Sequence, residues 1–409
     1  MDVKRVLYLS YDGMTDPLGQ SQVLPYLLGL SKRGYAFTLV SFEKPGRFEE
    51  GKNVIENICE ENGIEWHPLV YTKSPPVFST LKDIRTLKNK IKALHSARAF
   101  HLVHCRSYIT SLAGMWMKKK WGVKFIFDMR GFWADERTDG GLWNLKNPLY
   151  KIVYSYFKKK EREFLQNADY TVSLTENART EIRSWDTANT FSEIEVIPCC
   201  VDLELFDPRK VSCTQVDLVR QQLQISPGQK VISYVGSIGT WYLLEEMLDF
   251  FRQFLIEFPG SIFLFISKDD KEAIMEVVQK KSIPREAVRI KAAERNEMPL
   301  LISMSDYSIF FIKPAFSKKA SSPTKQGELM AMGVPVICNH KVGDTSFVVD
   351  TYNSGIVIEK FSGSAYQKSL KQLVNMDFNK EAIRKGAEAY FSLENGIEKY
   401  NSIYEKILR

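Results

Sequence analysis

The chain lacks most of the devices that declare a function at a glance. Its six cysteines, Cys59, Cys105, Cys199, Cys200, Cys213 and Cys338, form no Cys-x-x-Cys pair, so no zinc-ribbon or thioredoxin-like motif is present. Several sit in apolar runs, where a free thiol behaves as a small hydrophobe, and a reducing compartment is expected. The five histidines make no ligand set and no Asp-x-Asp stands in an obvious loop; no metal and no cofactor is expected. The first residues, MDVKRVLYLSYDG, lack the apolar run of roughly 7–15 residues that marks a signal peptide. No stretch approaches the ~18 apolar residues of a membrane span. A cytoplasmic protein, or one peripheral at the inner face of a membrane, is expected. Repeats and low-complexity tracts are also missing. The excess of one charge is small: 56 basic against 49 acidic residues, net +7. It permits nucleotides, phosphates or an anionic membrane face as partners. With no nucleic-acid motif in the chain, no nucleic acid is expected as partner.

What is present is a regular alternation of strands and helices. Val3–Ser10 is a short apolar strand. Val23, Leu24, Leu27, Leu28 and Leu30 mark a helix closed by Gly34, and Ala36–Ser41 is a second strand. Strand, helix and strand of this length form a βαβ unit, which implies a parallel sheet. Further strands are expected over 100–105, 123–128, 169–173 and 194–197, with helices such as 81–94 and 150–165 between them. A break at "IPCCVDLELFDP", Ile197 to Pro208, precedes a second series of strands: 231–235, 262–267, 288–291, 307–312, 334–338 and 355–358. The fold class is therefore α/β, with two doubly wound Rossmann-like domains. The expected division is 1–195 and 196–392, with a terminal helix at about 393–409 returning to the first domain.

The stretch Ser321–Asn339, SSPTKQGELMAMGVPVICN, carries the densest chemistry. Ser322 suits an N-cap and Pro323 a first helical position. The free amides of Thr324 and Lys325 would then attract a phosphate, with the helix dipole and the Lys325 ammonium adding positive charge. Glu328 lies one turn on and on the same face; its carboxylate could accept two hydroxyl hydrogen bonds, as from a ribose. The plain alternative is a solvated Lys325–Glu328 salt bridge. A nicotinamide site is disfavoured, because neither Gly13–Gly19 nor Gly236–Gly239 completes Gly-x-Gly-x-x-Gly.

These residues, with their neighbours, resemble the family 4 glycosyltransferases, retaining enzymes of GT-B fold with two facing Rossmann-like domains. Lys325-Gln-Gly-Glu328 followed by Ala331-Met-Gly333-Val-Pro335-Val336 is similar to the donor-binding helix of that family. "VIPCCVDLELF" resembles its interdomain signature, "ISYVGSIGTWYLLEEML" the opening of its nucleotide domain, and "EMPLLISMSDYSIFFIK" the segment before the donor site. The resemblance implies transfer of a sugar from a nucleotide-sugar donor to a sugar or lipid-linked sugar acceptor, as in surface polysaccharide synthesis. Three departures stand out. Ala320 replaces a second glutamate, Cys199-Cys200 replaces an Asn-Gly, and the loop Gly236-Ser-Ile-Gly-Thr-Trp241 lacks the usual arginine and lysine. Phosphate contacts would then fall on Lys325, the helix amides with Ser322 and Thr324, the Gly236–Thr240 backbone with Ser237, and Lys313.

The first domain should hold the acceptor. Gly19, Gln20 and Ser21 end the loop Tyr11–Val23, where the resemblance places a turn against the diphosphate or the acceptor; a plain helix cap is the alternative. "HLVHCRS" places His104 and Arg106 at the carboxyl end of a strand, and His104 is a catalytic candidate. "FIFDMRGFWADER" discharges a strand into Arg130, Asp135 and Glu136. Arg130 could hold a diphosphate or an acidic acceptor, and Asp135 or Glu136 could take the acceptor proton. A buried ion pair between Arg130 and these acids is the rival. "WMKKKW" and "YKIVYSYFKKKEREF" interleave aromatics with lysines, as on a helix that contacts an anionic bilayer or on one with a solvated basic face. An epimerase of the same fold and a non-catalytic nucleotide-sugar-binding protein are the alternatives to a transferase.

Overall fold

The computed structural model describes residues 3–409. Two compact units emerge: residues up to Pro198 together with Leu393–Arg409, and Cys199–Ser392. The first unit contains β1 (Lys4–Ser10), β2 (Tyr35–Glu43), β3 (Glu65–Val70), β4 (Leu102–Arg106), β5 (Lys124–Asp128), β6 (Tyr170–Ser173) and β7 (Ile194–Val196). They form one parallel sheet in the order β3-β2-β1-β4-β5-β6-β7. The second unit contains β8 (Val231–Val235), β9 (Ile262–Ile266), β10 (Val288–Lys291), β11 (Tyr307–Phe310), β12 (Val336–Asn339) and β13 (Gly355–Ile358). Its parallel sheet has the order β10-β9-β8-β11-β12-β13.

The central strands are buried on both faces along their whole length, as in β8 (VISYV) and β9 (IFLFI). That is why they read as continuous apolar runs rather than alternating ones. Phe250, Phe251 and Phe254 from the Leu244–Glu257 helix close one side of the second core. β3 was not expected from the sequence. It is an edge strand, EWHPLV, exposed at both ends and interrupted by Pro68, so it presents no apolar run, and proline is tolerated there because one edge bonds to nothing.

In each sheet the strand order reverses once. The reversal falls between β1 and β4 in the first unit and between β8 and β11 in the second. Ligands of doubly wound sheets lie beyond the carboxyl ends of the strands at such a point, because the crossover helices diverge there and leave a crevice.

Candidate functional site

In the second unit the crevice is framed by the carboxyl ends of β8 and β11 and by the Thr324–Ala331 helix. That helix begins one residue later than expected. Pro323 occupies the N-cap position and no side chain caps the amides. Ser322, expected as the cap, instead accepts a hydrogen bond from the Cys199 amide at 3.1 Å. No side chain takes the first amides, Gln326 N bonds Pro323 O, and the dipole makes the tip positive. At the other end, Gly333 (φ +70°) closes the helix with bonds Gly333 N to Met330 O and Val334 N to Leu329 O. This is a Schellman ending, which a residue in the left-handed region permits.

Lys325 and Glu328 are not a solvated salt bridge. Lys325 is 8% exposed and Glu328 7%. The Lys325 Nζ has no hydrogen-bond partner. It lies 3.5 Å from the centroid of the Tyr242 ring and 4.1 Å from that of Tyr234, whose electron-rich faces attract a cation. A Cβ on Gly236 (φ +95°) would stand 3.6 Å from Nζ, so the end of β8 and this ammonium adjoin. Burial pushes the Lys325 pKa well down, against the pull of Glu328 and Asp269. Burial also raises the Glu328 pKa, and Arg295 opposes that shift. The Arg295 Nη1 donates to Glu328 Oε1 at 2.9 Å.

The loop after β8 is pinned by an acid. Ser237 Oγ donates to Asp269 Oδ1 at 2.7 Å and the Ile238 amide to Oδ2 at 2.6 Å. Ser237, expected to face a phosphate, is therefore engaged with Asp269. Other basic residues stand near this loop. Lys318 is buried with its Nζ 3.6 Å from the Trp241 ring centroid, beside the Tyr242 that carries Lys325. Lys313 lies exposed just beyond β11, and its amide donates to Trp241 O. Sequence reasoning missed Arg295, Lys318 and the Tyr234–Tyr242 pair; the adjacent aromatics Trp241 and Tyr242 after a Gly-rich loop were the available signal.

In the first unit several expectations change. His104 lies in the middle of β4, not at its end, and is 1% exposed. Its Nδ1 is 2.7 Å from Tyr404 Oη, and its Nε2 is 3.5 Å from Asp128 Oδ2. Burial holds it below the ordinary histidine pKa despite Asp128. Sealed beneath Tyr400 and Tyr404 of the Leu393–Ile407 helix, it cannot meet a substrate, and it serves packing. Asp135 is likewise committed, accepting from Tyr154 Oη and Lys158 Nζ at 2.8 Å each. Of the rival reading, an ion pair between Arg130 and the following acids, the structure shows none with Asp135; Arg130 Nη1 faces Asp128 Oδ1 at 3.9 Å. Glu136 is half-buried in the first turn of the Trp133–Asp139 helix.

Arg130 keeps its candidacy. It follows β5 with φ +55°, next to Gly131 at φ +132°, a strained turn at a strand's carboxyl end of the kind that collects at functional sites. Gly19, Gln20 and Ser21 form no open turn. They lie inside the Pro17–Gln22 helix, where a Cβ on Gly19 would fall 2.2 Å from Gly13 O. Glycine there permits the helix to lie on its own loop. Ser21 Oγ bonds Pro17 O and Gln20 Nε2 bonds Thr15 O.

Two parallel Rossmann-like sheets with these edges are the architecture of GT-B glycosyltransferases, and solved structures agree over nearly the whole chain. Sucrose-phosphate synthase from Thermosynechococcus elongatus superposes with a TM-score of 0.74 at 14% identity, covering 99% of each chain. A glycosyltransferase from Rickettsia africae gives 0.72 at 15% identity, covering 100% of each. HepE of Anabaena, in complex with UDP and glucose, gives 0.68 at 12% identity, covering 98% of this chain and 100% of HepE. No curated protein matches the sequence. Residues 22–205 match the model of glycosyltransferase family 4, and residues 215–390 that of glycosyl transferases group 1. The chain belongs to this family of glycosyltransferases.

Proposed function

We propose that this glycosyltransferase moves a hexose from a nucleotide-sugar to an acceptor hydroxyl, with retention at the anomeric carbon and without a metal ion. Surface polysaccharide or glycoconjugate synthesis is the setting that suits it. One observation carries the reading: a buried lysine Nζ without a hydrogen-bond partner, held at the tip of a helix beside the end of a central strand. Such a group lacks only an anion. As the donor's glycosidic bond breaks, negative charge gathers on the leaving diphosphate. Lys325 and the amides of Thr324 and Lys325 would stabilise that charge without reorganising. Glu328, steadied by Arg295, would receive the ribose hydroxyls. The freed phosphate oxygen could take the acceptor proton on the same face. Arg130 would orient an acidic acceptor in the first unit. The complex of HepE with UDP and glucose supports a nucleotide-sugar donor for a chain of this fold.

The test is to incubate the protein with a panel of nucleotide-sugars, with and without acceptor and with EDTA. Free nucleoside diphosphate that increases with acceptor and persists in EDTA is the expected result. An altered sugar with the nucleotide intact identifies an epimerase, and binding without turnover a scaffold; either overturns the proposal.

A further inference from the structure

The exposed apolar residues of the first unit are not scattered. Leu142 and Leu145 stand in the loop before the Pro148–Asn167 helix; Leu149, Ile152 and Tyr156 follow on one face of it, three and four residues apart. Leu142 is 62% exposed and Ile152 68%, so these side chains stand proud of the surface. From Gly140 to Lys160 the chain has no acidic residue, while Lys146, Lys151 and Lys159 are exposed around the apolar ridge.

The neighbouring helices repeat the pattern. The Ser107–Trp121 helix packs against both the Phe78–Ala97 helix and the Pro148–Asn167 helix, so the three form one layer. Between Ile84 and Phe127 there are ten lysines and arginines and no Asp or Glu. Phe78 and Leu81 are exposed at the start of the Phe78–Ala97 helix. Near the far end of the layer, Lys120 lies over the Trp116 and Trp121 rings. In a parallel sheet each crossover helix begins beyond the carboxyl end of the preceding strand. Both sets of exposed apolar residues therefore sit at the sheet's carboxyl edge, the edge that carries Arg130.

We infer that this edge docks on an anionic lipid bilayer, with the Leu142–Tyr156 ridge inserted at the headgroup level and the lysines against the lipid charges. An apolar ridge rimmed by one sign of charge, on a helix of amphipathic pattern, is how proteins lie on such surfaces. A second copy of the chain is disfavoured, because a self-complementary contact would set lysine against lysine. Docking leaves the carboxyl edge at the membrane, where a lipid-linked acceptor would meet it; that consequence alone rests on the transfer reaction proposed above.

Cosedimentation with vesicles tests the docking without any sugar or nucleotide. Vesicles of phosphatidylcholine with phosphatidylglycerol should bind the protein far more tightly than pure phosphatidylcholine, by roughly fivefold for each lysine engaged. The Leu149→Asp/Ile152→Asp variant should lose at least about tenfold of that binding, with an unchanged circular dichroism spectrum and thermal midpoint. Tyr156→Trp should shift its emission to the blue on anionic vesicles only. Equal binding by variant and wild type, no binding by either, or an unshifted tryptophan overturns the inference. So does self-association, or capture by polyglutamate, in place of vesicle binding.

Discussion

Lys325 is placed against the usual economy of a protein interior. A buried charge is normally paired, because leaving it without a partner costs several kcal/mol. Here the ammonium has two aromatic faces and a carboxylate nearby, but no hydrogen bond. Burial lowers its pKa, with Glu328 and Asp269 pulling the other way. A bound diphosphate would raise it again. The diphosphate-bound protein then holds more protons than the free one, and binding takes up a proton. Affinity should be level below the depressed pKa and fall as pH rises through it towards the ordinary lysine range, by up to about tenfold per pH unit. Calorimetric titration in buffers of different ionisation enthalpy measures the uptake; proton release, or none across that window, would contradict the assignment. The type and spacing of Lys325 and Glu328 were legible in the sequence. Their partners were not, because those come from distant segments: Arg295 lies 33 residues before Glu328, and the cap expected at Ser322 is spent on Cys199, 123 residues away.

Elements differ in how openly the sequence declares them. The strands β8, β9 and β10 were readable because their runs are apolar throughout or bounded by turns. β3 was hidden by its proline and its exposed ends. The Thr324–Ala331 helix was visible from its punctuation, and its glycine ending is testable. A Cβ on Gly333 would meet Lys380 O at 2.9 Å, at a backbone φ of +70°. Gly333→Ala should cost about 1–2 kcal/mol from the left-handed backbone alone, read as a lower midpoint in denaturant. The Leu393–Ile407 helix shows what sequence reasoning cannot reach. His104 reads as a catalytic candidate in the sequence, whereas in the fold Tyr404, 300 residues later, is bonded to it. Tyr404→Phe leaves that ring nitrogen without its partner and should destabilise the first unit by about 1–3 kcal/mol. No loss of stability would mean the contact is idle.

At the scale of the molecule, each unit has its own sheet and its own core, and the Cys199–Ser392 unit holds the donor candidates. Scanning calorimetry is expected to resolve two transitions, of which Gly333→Ala lowers only one. Nucleoside diphosphate at a hundred times its Kd should stabilise that same transition by about 2.7 kcal/mol. A shift in the other transition would move the donor site to the first unit. Among the described residues no helix is long and apolar enough to cross a membrane; the bilayer attachment inferred above is made by the Leu142–Tyr156 ridge. The most direct test of the donor site is the affinity of UDP and other nucleoside diphosphates for the wild type and for Lys325→Met, measured by titration calorimetry. Losing the ammonium should weaken the diphosphate ten- to hundredfold, about 1.5–3 kcal/mol, while the fold holds or gains stability, since methionine suits a buried site. Equal affinities in a folded variant would contradict the account.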